Sequence, residues 1–314
     1  DRIDELLNAG KTYSEVSKEI ARIRLAELIK PSSWTRQTYY DIMKRSGVTA
    51  LSVTLPSEDI PSAMTAIAGF SLKFDSMRDL LVRATRAEDI RRAKTEGKHA
   101  IIWNFQNTIG IGQNLDNLDL FYGLGVRIIQ LTYNLRNLAG DGCTERQDSG
   151  LSHWGVKLIE RMNKLGVLVD TGHCGLKTTM DAAEVSKIPI ATTHTCCRSV
   201  YYHQRGKTDD VLKAVADKGG VIGIVDVPMF IARRAGTLKD MLNHIDHAVK
   251  VVGADHVGIG TDLYSVPERP QRFIDLENEM IREFWTGFRR GPPPDGHEVD
   301  YNVYPPRSDQ FEAW

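Results

Sequence analysis

The sequence is poor in cysteine, lacks long apolar runs and carries almost no net charge. No apolar run reaches the roughly 18 residues that a transmembrane helix needs. Because 40 basic residues stand against 41 acidic ones, the net charge of −1 favours neither nucleic acid nor an anionic membrane as a partner. The four cysteines form no CxxC pair and do not indicate a disulfide framework; they are Cys143, Cys174, Cys196 and Cys197.

The length of the chain and its cysteine usage suggest a general class of protein. The 314 residues are 41% hydrophobic, which is enough for one large core or two modest ones. Few cysteines without a disulfide pattern are typical of a reducing compartment, so we expect a cytoplasmic protein. The chain starts at Asp1 and not at a methionine, which is compatible with a signal or leader segment that was removed or left out.

Apolar runs alternate with amphipathic segments from about residue 25 onward. The runs are nearly continuous, as in parallel strands buried on both faces. Eight βα units in this length predict an α/β fold, the (β/α)8 or TIM barrel. A doubly wound open sheet is the alternative, but no GxGxxG follows the first strand. The predicted strands are 24–29, 48–55, 99–105, 126–133, 167–173, 188–194, 221–227 and 256–262, and the predicted helical segments are 34–47, 73–97, 115–125, 152–166, 176–187, 208–220, 237–253 and 272–285.

Both ends of the sequence depart from this alternation. Residues 1–23 are charged and predict an N-terminal helical extension. The barrel is expected over residues 24–290. Residues 291–314 contain many prolines and aromatic side chains, and we expect them to form a C-terminal arm or loop.

Polar side chains stand at the C-terminal ends of five predicted strands. In a barrel these ends surround one face, where the active site lies, so residues distant in sequence become neighbours. Imidazole is the commonest metal ligand, and an aspartate there could act as a general base or a ligand. Each histidine could instead only bond within its own loop, but two at matching strand ends favour a site. The side chains are those of Gln106, Tyr133, His173, His194 and Asp262.

Several longer segments resemble the membrane (renal) dipeptidase family, whose members are zinc amidohydrolases with a (β/α)8 barrel. The resemblance covers about residues 99–263 and is specific, because its motifs occur in order and with similar spacing. They are "LGVRIIQLTYN", "DSGLSHWGVKLIERMNKLGVLVDTGHCG", "PIATTHTCCRSV" with "RGKTDDVLKAVADKGGVIGI", and "ADHVGIGTDL".

The resemblance implies a role for each matching residue. It implies that His173 and His194 are ligands of one metal. It implies that Asp262 is the base that handles the proton of the water or of the leaving group. It implies that Arg205 pairs with the substrate carboxylate, a role that suits a bidentate guanidinium. The family also favours a homodimer or larger assembly.

The chain departs from the family pattern at three places. The family opens with a His-x-Asp pair at the first strand, where this chain has Leu28 and Lys30. Gln106 stands in place of the bridging glutamate, and Tyr133 in place of a substrate-contacting histidine.

These exchanges limit the number of metal ions. Replacing Asp by Lys and Glu by Gln shifts the site by about three charge units toward positive, each worth several kcal/mol at ion-pair distances. We therefore expect at most one zinc, on His173, His194 and either Gln106 or Asp262, or no metal. Lys30 could replace a lost cation, act as a base or nucleophile, or be an ordinary surface lysine.

Three functions are compatible with this pattern. The first is a dipeptidase-like amidohydrolase that cleaves an amide bond in a small carboxylate-bearing substrate with one metal and Asp262 as base. In it, Arg205, Tyr133, Asn134 and Lys30 would bind the substrate. The second is lyase, hydratase or isomerase chemistry by Tyr133 and Asp262 with metal optional. The third is a non-catalytic relative that binds a ligand.

Overall fold

The structure is a computed structural model of the chain. It describes residues 2–12, 15–16, 18–19, 34–233 and 236–262, together with residues 272, 275, 276 and 279. Lys30, Leu28, the predicted first strand and the predicted C-terminal arm lie outside the described residues. Within the predicted N-terminal extension, a helix is described at Arg2–Asn8.

Eight parallel strands form one curled sheet in the described part of the chain. Along the sheet, β1 pairs with β3, and β3 to β8 then follow in chain order, while β2 pairs with the first half of β3. The strands are β1 (Ala50–Thr54), β2 (Leu81–Arg83), β3 (His99–Phe105), β4 (Val126–Gln130), β5 (Leu168–Asp170), β6 (Ala191–Thr195), β7 (Val221–Ile224) and β8 (Val257–Ile259).

Helices connect the strands and cover the sheet. They are α1 (Arg2–Asn8), α2 (Trp34–Ser46), α3 (Ile60–Ser76), α4 (Ala87–Thr95), α5 (Asp116–Leu124), α6 (His153–Leu165), α7 (Leu176–Val185), α8 (Asp209–Asp217), α9 (Pro228–Ile231) and α10 (Leu238–Val252), with 3-10 turns at Ile109–Ile111 and Ala254–His256. Among the described residues, no helix is long and apolar enough to cross a membrane.

Local signals in the sequence explain where the helices begin and end. At the start of α6, the hydroxyl of Ser152 accepts a hydrogen bond from the backbone N–H of Gly155 at 2.9 Å. The helix ends at Gly166, whose φ of 76° lies in the left-handed region that favours glycine. The predicted helix at 152–166 is therefore confirmed within one residue at each end.

The hydrophobic core lies between the sheet and its helices. Trp103 of β3 is fully buried and packs against Phe70 and Phe74 of α3, with ring centroids 6.5 and 5.8 Å apart. On the far side, Leu158 and Met162 of α6 belong to the same buried cluster as the strands. Because the core takes the apolar side chains, the polar residues are left at the C-terminal ends of the strands.

The predicted α/β class is confirmed, but three details of the prediction are wrong. A helix begins at Ile60, well before the predicted helical segment at 73–97. The segment 73–97 is not helical throughout, because Leu81–Arg83 forms β2 between two helices. Three residues are too few to show a strand period, and this strand exists by pairing with β3. The strands β4, β5, β7 and β8 also end three residues earlier than predicted, so Tyr133 and His173 lie in loops just beyond β4 and β5.

Gly260, just after β8, packs against β6 so closely that a side chain does not fit. A Cβ atom built there would lie 1.8 Å from the carbonyl oxygen of Thr193. We expect Gly260→Ala to lower the free energy of unfolding by about 1–3 kcal/mol, as overpacking does. Gly258→Ala is the control, since its Cβ would meet only Val221 Cγ1 at 3.4 Å. Thermal denaturation of both variants tests this, and equal melting temperatures would contradict the close approach.

Candidate active site

The structure brings His173, His194 and Asp262 together at the C-terminal edge of the sheet. One possible ligand atom from each lies within 4.8 Å of the other two, and this is the one such group found among the described residues. The imidazole centroids are 4.8 Å apart, with the rings edge to face. His194 Nε2 lies 4.0 Å from a carboxylate oxygen of Asp262. Three residues from separate strand units thus face one small space.

The local backbone explains how each of these side chains reaches the site. His173 and Asp262 follow the ends of β5 and β8 by three residues, whereas His194 lies inside β6. In β6 the pairing with β7 shifts between Thr192 and Thr195, where one extra residue is inserted. A bulge of this kind bends a strand and redirects its side chains. The bulge in β6 includes His194.

His173 is held by polar partners on β4 and the loop after it. Its Nδ1 lies 2.6 Å from the Asn134 side-chain oxygen, and its backbone N–H donates to the Gln130 side-chain oxygen at 3.2 Å. Tyr133 stacks on the imidazole, with centroids 4.1 Å apart. Gln130 also donates to the carbonyl oxygen of Gln106 at 2.7 Å, so Gln106 joins this network through its main chain.

Among the described residues, the second nitrogen of each imidazole has no hydrogen-bond partner. His173 Nε2 and His194 Nε2 are both buried and unpaired within the described part of the chain. Burial of this kind is costly unless a partner is present. Burial, together with the positive charge of Arg205, holds the pKa of both histidines well below the usual range, so both are neutral. Two neutral imidazole nitrogens beside a carboxylate are a donor set that fits zinc.

Asp262 and Tyr133 lie beside the histidines, and the pKa of each is raised. Asp262 has a left-handed φ of 58°, which a short polar side chain tolerates. Although 27% of its side chain is exposed, desolvation raises the pKa of Asp262 to about 6. As a residue Tyr133 is 45% exposed, but desolvation of its hydroxyl, and then the charge of Asp262, raise its pKa to about 12. The phenol therefore keeps its proton.

Arg205 lies beneath the two histidines and is only 1% exposed. Its guanidinium donates to the carbonyl oxygen of Gly172 and, at 3.1 Å, to that of His194. It thereby ties together the backbones that carry both histidines. Its Nε has no partner among the residues that the structure describes.

Two buried polar residues near the site were missed by the sequence analysis. Lys207 is buried with its ammonium on the carbonyl oxygen of Cys174, and burial lowers its pKa to about 8. Nothing in "RGKTDD" distinguishes it from a solvated lysine. Asp170 is buried at the end of β5, and there a signal existed, because a carboxylate that ends an apolar strand seldom goes unpaired.

Comparison with known proteins gives a consistent family match. The profile of the membrane dipeptidase family, peptidase family M19, matches residues 51–286. An uncharacterized dipeptidase of Schizosaccharomyces pombe is 31% identical over 235 residues, which are 73% of this chain and 55% of that protein. A dipeptidase of Claviceps purpurea is 29% identical over 202 residues, 63% of this chain and 48% of that protein. The chain thus spans about half the length of these curated relatives.

A solved structure shares the fold. The crystal structure of an amidohydrolase from Pseudomonas aeruginosa has a TM-score of 0.70 and 32% sequence identity to this chain. The match covers 76% of this chain and 73% of the other. With the curled parallel sheet, this likeness confirms the predicted (β/α)8 barrel class.

Proposed function

Because the chain belongs to the membrane dipeptidase family, a family of hydrolases, we propose that it is a metal-dependent amidohydrolase. Its substrate would be small, would contain an amide bond and would bear a carboxylate, as a dipeptide does. The observation that carries the proposal is the pair of buried, unpaired Nε2 atoms of His173 and His194 beside Asp262.

One metal ion is the number that the described donor atoms support. His173 and His194 would hold it, with Asp262 as the third member of the group of possible ligand atoms. The side-chain oxygen of Gln106 stays a prediction as a weaker third ligand, since the hydrogen bond that joins Gln106 to the site is made by its main chain. A bound zinc would supply an activated water and polarise the carbonyl of the bond to be cleaved.

The proton transfers are assigned to Asp262, and stabilisation of the developing negative charge to Tyr133. Asp262 would accept the proton of the attacking water and deliver it to the leaving amine, for which a pKa of about 6 is well placed. Tyr133, which keeps its proton, would donate a hydrogen bond to the carbonyl oxygen as negative charge develops there.

Substrate recognition is assigned to residues around the same space. Arg205 is a buried cation close to both histidines, which supports a role in attracting the substrate carboxylate. Its two Nη groups each donate to one carbonyl oxygen, whereas its Nε–H has no partner among the described residues, so N–H donors remain for a carboxylate. Asn134 bonds His173, which supports a positioning role rather than substrate contact. Lys30 stays a prediction, since it lies outside the described residues.

Metal content and chelation test this proposal. We expect about one zinc per chain by mass spectrometry after purification without added metal. A strong chelator should remove the zinc together with dipeptidase activity, and added zinc should restore both. Turnover by metal-free protein would instead favour acid–base chemistry by Tyr133 and Asp262. A protein with neither metal nor turnover would favour the non-catalytic relative.

We also propose a cellular compartment and an oligomeric state for the protein. All four cysteines are free and buried, which supports a reducing compartment such as the cytoplasm. A homodimer or larger assembly is proposed on family grounds, and sedimentation would measure it.

A further inference from the structure

We propose that Asp170 and Thr193 are positioning residues that hold His194 in the one tautomer whose Nε2 lone pair faces the metal site. The inference rests on the proposed function, in which His194 is a ligand. It concerns a chain of side chains, Asp170–Thr193–His194, that lies behind the ligand and touches neither metal nor substrate.

The carboxyl group of Asp170 accepts three hydrogen bonds from Gly172 and Thr193. Its Oδ1 accepts from the backbone N–H groups of Gly172 at 3.0 Å and Thr193 at 2.9 Å. Its Oδ2 accepts from the hydroxyl of Thr193 at 2.7 Å. Burial raises the pKa of Asp170, and the hydrogen bonds from Thr193 and Gly172 and the charge of Arg205 act against that rise and favour the carboxylate. Backbone N–H groups can only donate, so Oδ1 is an acceptor, and the Thr193 hydroxyl is the donor to Oδ2. The hydroxyl hydrogen of Thr193 therefore points at Asp170.

The Thr193 hydroxyl has a single hydrogen, so it can donate to only one of its two neighbours. Thr193 Oγ1 also lies 2.8 Å from His194 Nδ1. Because Thr193 gives its hydrogen to Asp170, its oxygen can only accept from the imidazole. His194 thus carries its proton on Nδ1, and the lone pair is on Nε2, the buried atom without a partner in the described structure. The opposite tautomer would place a hydrogen where the metal should bind.

The backbone of Thr193 is held in place by the packing of the sheet around it. The β6 bulge, with its extra residue between Thr192 and Thr195, places Thr193 and His194 outside the regular alternation of the strand. On the other side, Cβ atoms at Gly223 and Gly260 would lie 2.0 and 1.8 Å from the Thr193 carbonyl oxygen. The sheet is therefore packed against Thr193 from two directions, and the chain of hydrogen bonds has a defined geometry.

The hydrogen bond that holds the His173 imidazole is independent of the Asp170–Thr193–His194 chain. Its Nδ1 is held by the amide oxygen of Asn134, without a hydroxyl or carboxylate between. Loss of the Thr193 hydroxyl should therefore release one imidazole and leave the other in place. Partners of this kind typically contribute 10- to 100-fold to metal affinity.

The test compares Thr193→Val, which removes the hydroxyl at constant shape, with Thr193→Ser, which keeps it. Thr192→Val is the matched control, because it removes a buried hydroxyl from the same strand that bonds Thr171 and not a histidine. Zinc affinity is measured by competition with a chromophoric chelator. We expect Thr193→Val to bind zinc about 10- to 100-fold more weakly, and the other two variants to stay close to wild type.

A second readout needs neither variant nor metal. Nitrogen-15 NMR of the metal-free wild-type protein reports which imidazole nitrogen of His194 carries the proton, and we expect Nδ1. A wild type that binds zinc while Thr193→Val binds equally tightly would overturn the inference, as would a proton on Nε2 of His194. If the wild type binds no zinc, the proposed function fails, and the tautomer still decides the inference.

Discussion

His194→Ala should lose both the bound zinc and the hydrolase activity. The variant removes the buried Nε2 of His194, which has no hydrogen-bond partner among the described residues, and leaves the His173 imidazole with the Asp262 carboxylate. Loss of a ligand should weaken zinc binding by more than the 10- to 100-fold typical of losing a partner behind a ligand. His173→Ala should behave in the same way.

Zinc content, zinc affinity and turnover of a dipeptide panel are the measurements for this pair. His153→Ala is the control, since His153 is exposed in the first turn of α6 and is not a member of the group of possible ligands. Circular dichroism establishes whether each variant is folded. Wild-type zinc affinity in a folded His194→Ala variant would remove His194 from the ligand set.

Asp262→Asn should bind zinc and yet turn over substrate about 100- to 10,000-fold more slowly, which is the usual contribution of a general base. The amide keeps the size of the carboxylate but cannot accept the proton of the attacking water. The effect should appear in kcat, with little change in the zinc content of the purified protein.

The Asp262 variant also distinguishes a base from a ligand. Its carboxylate lies 4.0 Å from His194 Nε2, so a ligand role is sterically open. A folded Asp262→Asn that loses zinc as His194→Ala does would assign Asp262 to the ligands, and unchanged kcat would exclude it as the base. Asp255→Asn, an exposed acid in the turn before β8, is the control.

Most helices and strands could be predicted because their signals are local. The helices at 115–125, 152–166 and 237–253 have an amphipathic period and end near glycine, and the structure places them within one residue of these bounds at each end. The strand at 99–105 is a largely apolar segment and matches β3. By contrast β2 has only three residues and depends on its neighbour, so no local period could reveal it.

The sequence by itself determined most of the strand and helix order from β3 to β8 and the residues that stand at the ends of these strands. His173, His194 and Asp262 were found because each comes at or just after the end of an apolar run, and parallel strands bring such ends to one edge. Only the tertiary structure decided what each of these side chains bonds to. Asn134 lies 39 residues from His173, and the β6 bulge exists through pairing with β7, so neither contact has a local signal. Hydrogen bonds depend on distances of a few tenths of an ångström, which only the packed sheet sets.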